Sequence, residues 1–383
     1  MKNLNVPNKG NVPRLRFTGY TDEWKNVKIA DIATIVGGGT PDTTISEYWD
    51  GDIQWFTPSE IGKSKYIAKS DRTITKEGLN NSSAKILPKG TILLSTRATI
   101  GECSIADKEC CTNQGFQSII VKNNTTNEFQ YYLIQTKKKD LIRNACGSTF
   151  LEISANEVRK IRCNIPNIEE QRKIADFLSL LDKRIETQNK IIEDLKKLKV
   201  AIRDNQLNII RKQYGLNSQI SELLDYEQPS KYIVSNTEYL NDNNLIPVLT
   251  ANKAFILGYT DETFGIYDKG QCIILDDFTL DCKLVDFAFK VKSSAIKILT
   301  SKNGISLRYI YEYINYIGLE TAEHKRHYIS EIEPMLIAYP GDNNIVNAFC
   351  DLMEIYDKKI EIENKYLQSL LSQKAYLLSN MFI

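Results

Sequence analysis

Residues 167–207 read NIEEQRKIADFLSLLDKRIETQNKIIEDLKKLKVAIRDNQL, and this stretch decides the fold. Ile174, Leu178, Leu181, Ile185, Ile192, Leu195 and Ile202 recur at steps of three and four, with Gln188 and Lys199 filling the two gaps. That spacing predicts one long helix with a narrow apolar seam of coiled-coil type. Pro166 stops the preceding segment, Asn167 can cap the helix, and Glu170 is placed to close a capping box. Glu169 and Glu170 suit the positive end of the helix dipole, and Lys196, Lys197 and Lys199 lie toward the other end. At about 1.5 Å per residue, such a helix is on the order of 60 Å long and needs a partner for its seam.

The partner is expected at the C-terminus. A shift of 175 positions lays Asp176 on Asp351, Asp182-Lys183 on Asp357-Lys358, and Ile185-Glu186 on Ile360-Glu361. The same shift lays Asn189-Lys190 on Asn364-Lys365, Leu195 on Leu370, and Asn205 on Asn380. Apolar positions match by type as well, Ile174 with Phe349 and Ile192 with Leu367 among them. One fixed offset over so many positions makes the chain a long-period tandem duplication, each half a globular segment followed by a long helix. The fold class expected is α+β, with domains at 1–166 and 208–341, long helices at 167–207 and 342–383, and the helices paired as an antiparallel coiled coil.

A chain of 383 residues suits that plan, and 42% hydrophobic residues can build real cores. The net charge of +1 neither proposes nor excludes a nucleic-acid partner, because basic residues can gather on one face. No apolar run approaches the ~20 residues of a membrane span, and MKNLNVPNKG lacks the apolar core of a signal peptide. The eight cysteines include the pair Cys110-Cys111 but no C-x-x-C, so they are expected to be thiols in a reducing cytoplasm.

The first globular segment reads as short strands joined by polar turns. Val27–Ala33 starts as an alternating strand and runs into the turn Gly37-Gly38-Gly39-Thr40-Pro41. Further strands are expected at 53–57, 91–96, 103–106, 116–121 and 161–165, with a helix over 128–144. The second segment echoes the outline. Gln219–Leu223 stands for Lys28–Ile32, Lys269–Leu275 for Lys89–Ser95, Leu307–Tyr316 for the helix near Phe129, Ile329-Ser330 for Ile153-Ser154, and Tyr339-Pro340 for Ile165-Pro166. The helices have diverged little and the globular parts greatly. Shared helices fit a common geometry, and diverged domains fit different targets.

Catalytic signatures are missing. The sequence has no G-x-x-x-x-G-K-[ST] loop, and Gly37–Gly39 is not followed by the pattern of a dinucleotide or methyl-donor site. A nuclease set built on Asp42 or Asp52 with Glu60 and Lys63 has loose spacing in a chain that is one-quarter charged. His324 and His327 lack evident metal partners and, with Lys325, Arg326 and Tyr328, suit phosphate contact or a solvated loop. Polar and basic tips recur beside aromatics at Thr57-Pro58-Ser59, Ser95-Thr96-Arg97, Asn113-Gln114 and Lys137–Lys139. Arg and Lys grip phosphates or guanine edges, and Asn and Gln read adenine.

Pro13–Phe17 with Trp24, Gly38-Gly39-Thr40-Pro41, Ser95–Gly101, Asn113–Phe116, Ile153-Ser154, and Pro166 with Glu170-Gln171, Ile174 and Leu181-Asp182 occur in an order that resembles the specificity subunits of type I restriction–modification enzymes. The second half departs from that pattern, lacking the Gly-Gly-Thr-Pro turn and the Glu-Gln pair at the helix start. The resemblance implies two target recognition domains that read the halves of a split double-stranded DNA site, with the antiparallel helices as a ruler. Half-sites one helical turn apart lie roughly 34 Å from each other, within reach of such a rod. It implies a non-catalytic chain, without cofactor of its own. That chain would join two modification subunits, which methylate adenine with S-adenosylmethionine, and restriction subunits, which use ATP and Mg²⁺. The residues then expected at DNA are Thr57, Ser59, Lys63, Arg97, Thr99 and Gln114 in the first domain. In the second they are Thr250, Asn252, Lys253, Lys325, Arg326 and Tyr328. Arg184, Lys190 and Lys365 on the helix faces are expected to dock modification subunits or to be solvated flank. Rival readings are a solitary nuclease or methyltransferase, a coiled-coil scaffold that binds only protein, and a subunit of a methylation-only system.

Overall fold

The structure, a computed structural model, describes residues 10–147, 151–251, 254–319 and 325–383. The chain forms two compact units, Met1–Asn189 with Lys365–Ile383, and Lys190–Asn364. Each unit takes part of two long helices, α1 (Ile168–Tyr214) and α2 (Asn343–Met381).

The first unit contains strands β1 (Lys25–Lys28), β2 (Ala33–Gly37), β3 (Trp49–Phe56), β4 (Tyr66–Ile67), β5 (Arg72–Ile74), β6 (Ile92–Leu94), β7 (Cys103–Ala106), β8 (Cys110–Thr112), β9 (Gln117–Val121) and β10 (Arg162–Ile165). Among the described residues its main sheet runs β2-β9-β6-β7-β4, a second sheet runs β5-β3-β8, and β1 pairs with β10. Strand β6 is buried on both faces. Ile92 and Leu94 face the core shared with the helices, whereas Leu93 faces a second core toward the smaller sheet.

The second unit contains β11 (Ser218–Gln219), β12 (Leu224–Glu227), β13 (Ile246–Leu249), β14 (Ile256–Thr260), β15 (Cys272–Asp276), β16 (Cys282–Val285), β17 (Lys290–Val291), β18 (Ile296–Ser301) and β19 (Leu336–Ile337). Its main sheet runs β12-β18-β15-β16, the smaller one β14-β13-β17, and β11 pairs with β19. This is the order of the first unit without its edge strand β4. In the smaller sheets β3 pairs antiparallel with β5 and parallel with β8, as β13 does with β14 and β17. Strand β15 splits its side chains as β6 does, Ile273 and Leu275 to one core and Cys272 and Ile274 to the other. The duplication therefore extends through the globular parts.

The helical seam is as the spacing predicts. Ile174, Leu178, Leu181, Ile192 and Leu195 are buried, Ile185 and Ile202 half-buried, and Gln188 occupies its gap with 4% of its surface exposed. Within the first unit Asp182 of α1 meets Lys374 of α2, and Arg184 meets Tyr366, so these stretches run antiparallel. The end of α2 fills that unit's core, with Phe382 stacked on Phe129 at 5.3 Å and edge-on to Trp24 at 6.2 Å. In the second unit Phe349 of α2 packs on Tyr309 at 5.5 Å.

Several local expectations are corrected. Residues 27–33 are not one strand, because the turn Ile29–Ile32 interrupts them, its start capped by Asp31 Oδ2 accepting from the Lys28 amide at 2.7 Å. The second unit repeats the device at Ile220–Leu223, with Glu222 accepting from the Gln219 amide at 2.8 Å. The helix expected over 128–144 breaks at Lys137 into Asn127–Thr136 and Lys138–Arg143. Asn167 caps α1 as expected, its Oδ1 accepting from the Glu170 amide at 2.9 Å. The Glu170 carboxylate, however, leaves the cap and takes Arg16.

Candidate nucleic-acid interface

In the first unit four loops converge beyond the ends of β2, β3, β6 and β8. Phe56 at the end of β3 accepts through its carbonyl from the Asn113 amide at 3.0 Å. Asn113 then folds back, its Oδ1 accepting from the Gly115 amide at 2.8 Å. The Gly115 carbonyl accepts from both the Thr96 amide, 2.8 Å, and the Thr96 hydroxyl, 3.0 Å. A Cβ on Gly115 would stand 2.9 Å from Pro58 Cγ, so the turn lies directly on the Thr57–Glu60 loop. The Gly-Gly-Thr-Pro turn closes the set. The Gly39 amide donates to the Thr112 carbonyl at 2.8 Å, and Thr40 donates to the Gln114 side chain.

These contacts bring together Thr57, Ser59, Arg97, Thr99 and Gln114. Ser59, Thr99 and Gln114 are exposed, and Thr57 and Arg97 half-buried. Thr57 and Ser59 share a 3.0 Å hydrogen bond, and the Glu60 carboxylate accepts from both the amide and the hydroxyl of Thr57 at 2.6 Å. Arg97 forms an ion pair with Glu152, Nη2 to Oε2 2.8 Å. Ala98 turns the loop through the left-handed region at φ 52°. Lys63 is exposed on the neighbouring turn, where the Gly62 amide donates to Ser104 Oγ at 3.0 Å.

Backbone hydrogen bonds fix the equivalent loops of the second unit. Where the Thr96 amide donates to the Gly115 carbonyl, the Asp277 amide donates to the Ala295 carbonyl, also at 2.8 Å. Where the Ile153 amide donates to the Thr96 carbonyl at 3.2 Å, the His327 amide donates to the Asp277 carbonyl at 3.1 Å, so the place of Ile153 belongs to His327 and not, as expected, to Ile329. Leu280, at φ 63°, supplies the left-handed turn. Phe56 faces Thr112 across its parallel pair, as Leu249 faces Val291. Thr250 thus stands where Thr57 does. The sequence reading missed Glu152 and Phe278, because the two loops share a hydrogen-bond frame but no residue identities.

Not every expected residue is at the surface. Thr250 is 7% exposed and Tyr328 fully buried, its ring 5.5 Å from that of Tyr226. Burial pushes the Tyr328 hydroxyl well above the ordinary phenol range. The expected DNA contact of Tyr328 is therefore corrected to a core role. His327 is likewise withdrawn, its Nδ1 2.9 Å from Glu331 Oε2. Hydrogen bonds from His327 and Lys325 hold the Glu331 carboxyl below the usual range. Lys325 and Arg326 are exposed, and the Arg326 guanidinium carbon lies 5.9 Å from the centre of the Phe278 ring. Asn252, Lys253 and His324 lie outside the described residues. Arg184, Lys190 and Lys365 are exposed on the long helices.

The Type I restriction modification DNA specificity domain family matches residues 21–197. The MjaIX specificity subunit of Methanocaldococcus jannaschii is 34% identical over 300 residues, which are 75% of this chain and 67% of that protein. The chain belongs to the type I restriction enzyme specificity subunits. The EcoR124I/EcoR124II specificity subunit of Escherichia coli is 45% identical over 148 residues, 36% of each chain. The fold agrees with two solved chains. The crystal structure of the Mycoplasma genitalium type I S subunit is 15% identical, with a TM-score of 0.57 over 97% of this chain and 99% of that one. A type I system chain from work on complex assembly and conformational transition is 13% identical, with a TM-score of 0.59 over 94% of this chain and 97% of that one.

Proposed function

We propose that this specificity subunit reads a two-part double-stranded DNA site, one half with each unit, and that α1 and α2 set the unspecified interval between the halves. The observation that carries the reading is the repeated strand order, which gives both units the same loop frame but different side chains on it. Thr57, Ser59, Lys63, Arg97, Thr99 and Gln114 serve the first half; Lys325 and Arg326 serve the second, whereas the buried Thr250 holds its loop. The chain itself performs no chemistry. Two modification subunits supply adenine methylation with S-adenosylmethionine, and restriction subunits supply ATP- and Mg²⁺-dependent translocation and cleavage. Support for docking on the helices comes from exposed apolar side chains beside Arg184, Lys190 and Lys365: Leu180 is 61% exposed and Ile362 63%. Side chains of that size standing in water favour a protein partner.

The test is methylation mapping. The chain is expressed with a modification subunit in a host free of adenine methylation, and modified bases are read across the genome. The expected result is methyl-adenine in a two-part motif with a fixed gap, in which replacing residues 1–165 by those of another specificity subunit changes one half only. A stable complex that writes no methylation refutes the reading and favours the scaffold.

A further inference from the structure

The paired loop frames place Arg97 and Phe278 at one and the same position of the two units, and Glu152 and Arg326 at the position facing it. Arg97 follows Thr96 and Glu152 precedes Ile153, and these neighbours are joined by the Ile153–Thr96 hydrogen bond. Phe278 follows Asp277 and Arg326 precedes His327, joined by the corresponding His327–Asp277 bond. Each frame thus presents one guanidinium at the rim, from opposite sides of the bridge. In the first unit it is held by a carboxylate at 2.8 Å, in the second it lies over an aromatic ring.

We infer that Arg97 and Arg326 are the equivalent specificity-determining guanidiniums of the two units, and that Glu152 and Phe278 are the positioning residues that aim them. This rests on the proposed reading of a two-part site. The two supports are chemically unlike, and so are their consequences. Glu152 orients Arg97 through Nη2 while its other donors stay available to a base edge, and it cancels the charge, so this pair adds little attraction to phosphate. Phe278 holds Arg326 by its face and leaves the charge whole, so Arg326 draws DNA as well as reading it.

The experiment uses the full chain assembled with its modification subunit. Methylation of the mapped motif is compared for Arg97→Ala, Arg326→Ala, Glu152→Ala, Glu152→Asp, Phe278→Ala, Phe278→Tyr and the inverted pairs R97F/E152R and F278R/R326E. Each arginine variant is expected to lose about ten-fold or more in methylation and to relax one half of the motif only. Glu152→Asp and Phe278→Tyr should recover most of what the alanine variants lose, and the inverted pairs should recover part of the methylation that the single arginine variants lose. Salt dependence gives a readout that a merely structural role would not move. Glu152→Gln is expected to steepen log K against log [salt] by about one ion, and Arg326→Ala to flatten it by about one. If Arg326→Ala keeps motif, rate and salt slope in a complex whose wild type writes a two-part motif, the inference falls and the proposed function stands. If an inverted pair melts like the wild type yet recovers nothing, the positional equivalence falls. A wild-type complex that writes no motif overturns both.

Discussion

Lys199 on α1 reaches Asp357 on α2 at 2.7 Å, and the same pair recurs as Lys374 on α2 and Asp182 on α1, also at 2.7 Å. Both members move by the 175-residue offset, so the duplication preserves an ion pair across the helical seam and not merely its apolar pattern. The surroundings differ. Lys199 also meets Glu312, 2% exposed, at 3.0 Å, and Arg308 bonds Asp357. Asp182 instead accepts from the Tyr132 hydroxyl at 2.5 Å.

Lys199→Met should therefore cost more than Lys374→Met. The first leaves the buried Glu312 with Arg308 at 3.7 Å and no nearer cation among the described residues, about 3 kcal/mol by the usual cost of a broken buried pair. The second leaves Asp182 half-satisfied by Tyr132, about 1 kcal/mol. The three tryptophans, Trp24, Trp49 and Trp55, all belong to the first unit. Urea melts followed by tryptophan fluorescence should thus shift for Lys374→Met, and melts followed by far-ultraviolet circular dichroism should shift most for Lys199→Met. Equal shifts by both probes would contradict the assignment.

Gly38 and Gly39 admit no side chain. A Cβ on Gly38 would lie 2.0 Å from the Asn113 carbonyl oxygen, and one on Gly39 2.3 Å from the Ala84 amide nitrogen. These neighbours are backbone and cannot step aside. Gly38→Ala should displace the Asn113–Gly115 turn, cost about 1–3 kcal/mol, and weaken reading of the first half-site alone. Thermal melts and methylation mapping check the two parts. Normal methylation of both halves would show that the turn does not hold the rim.

The long helices were legible in the sequence because their signal is periodic. The seam survives even at Gln188 and Lys199, which are polar but sit at apolar intervals and are buried or paired. The end of α1 was less so. The helix continues past Leu207 to Tyr214, because Ile210 still packs into the second unit's core and only Gly215, at φ 66°, stops it. Short strands such as β4 and β8 escaped notice, since two or three residues carry no period. The matched rim positions were illegible for a different reason. Arg97 and Phe278 are equated by backbone hydrogen bonds, which leave no trace in residue type.

Cys146 offers a reporter at the rim. It is exposed, and its backbone exchanges two hydrogen bonds with Glu152, each 2.9 Å. Burial pushes the thiols of Cys103, Cys110, Cys272 and Cys282 up to about 12, and those of Cys111 and Cys163 up to about 11. Because the thiolate is the nucleophile, these six should resist iodoacetamide at pH 8, and Cys146 should be modified first. DNA carrying the mapped motif should slow that reaction several-fold in the assembled methyltransferase, as mass spectrometry would record. An unchanged rate would move the DNA away from the Arg97–Glu152 pair.

Arg16 and Glu170 tie two motifs that look unrelated in sequence. The guanidinium donates from Nε to Oε1 at 2.7 Å and from Nη2 to Oε2 at 2.8 Å, and Nη2 also meets the Asp22 carbonyl at 2.7 Å. Glu170 is fully buried at the first turn of α1, so this fork is what makes its charge tolerable there. A lysine at position 16 keeps the charge but cannot present two parallel donors. Arg16→Lys should therefore destabilise the first unit by about 2 kcal/mol and Arg16→Ala by about 3–4 kcal/mol. Glu170→Gln added to Arg16→Ala should recover part of that loss, because the orphaned charge disappears. Tryptophan-detected urea melts of the wild type, Arg16→Ala, Glu170→Gln and the double variant form the cycle, and Arg16→Lys is melted beside them. If Arg16→Lys melts like the wild type, a single charge suffices, and the paired geometry of the fork contributes nothing to the junction between the N-terminal segment and α1.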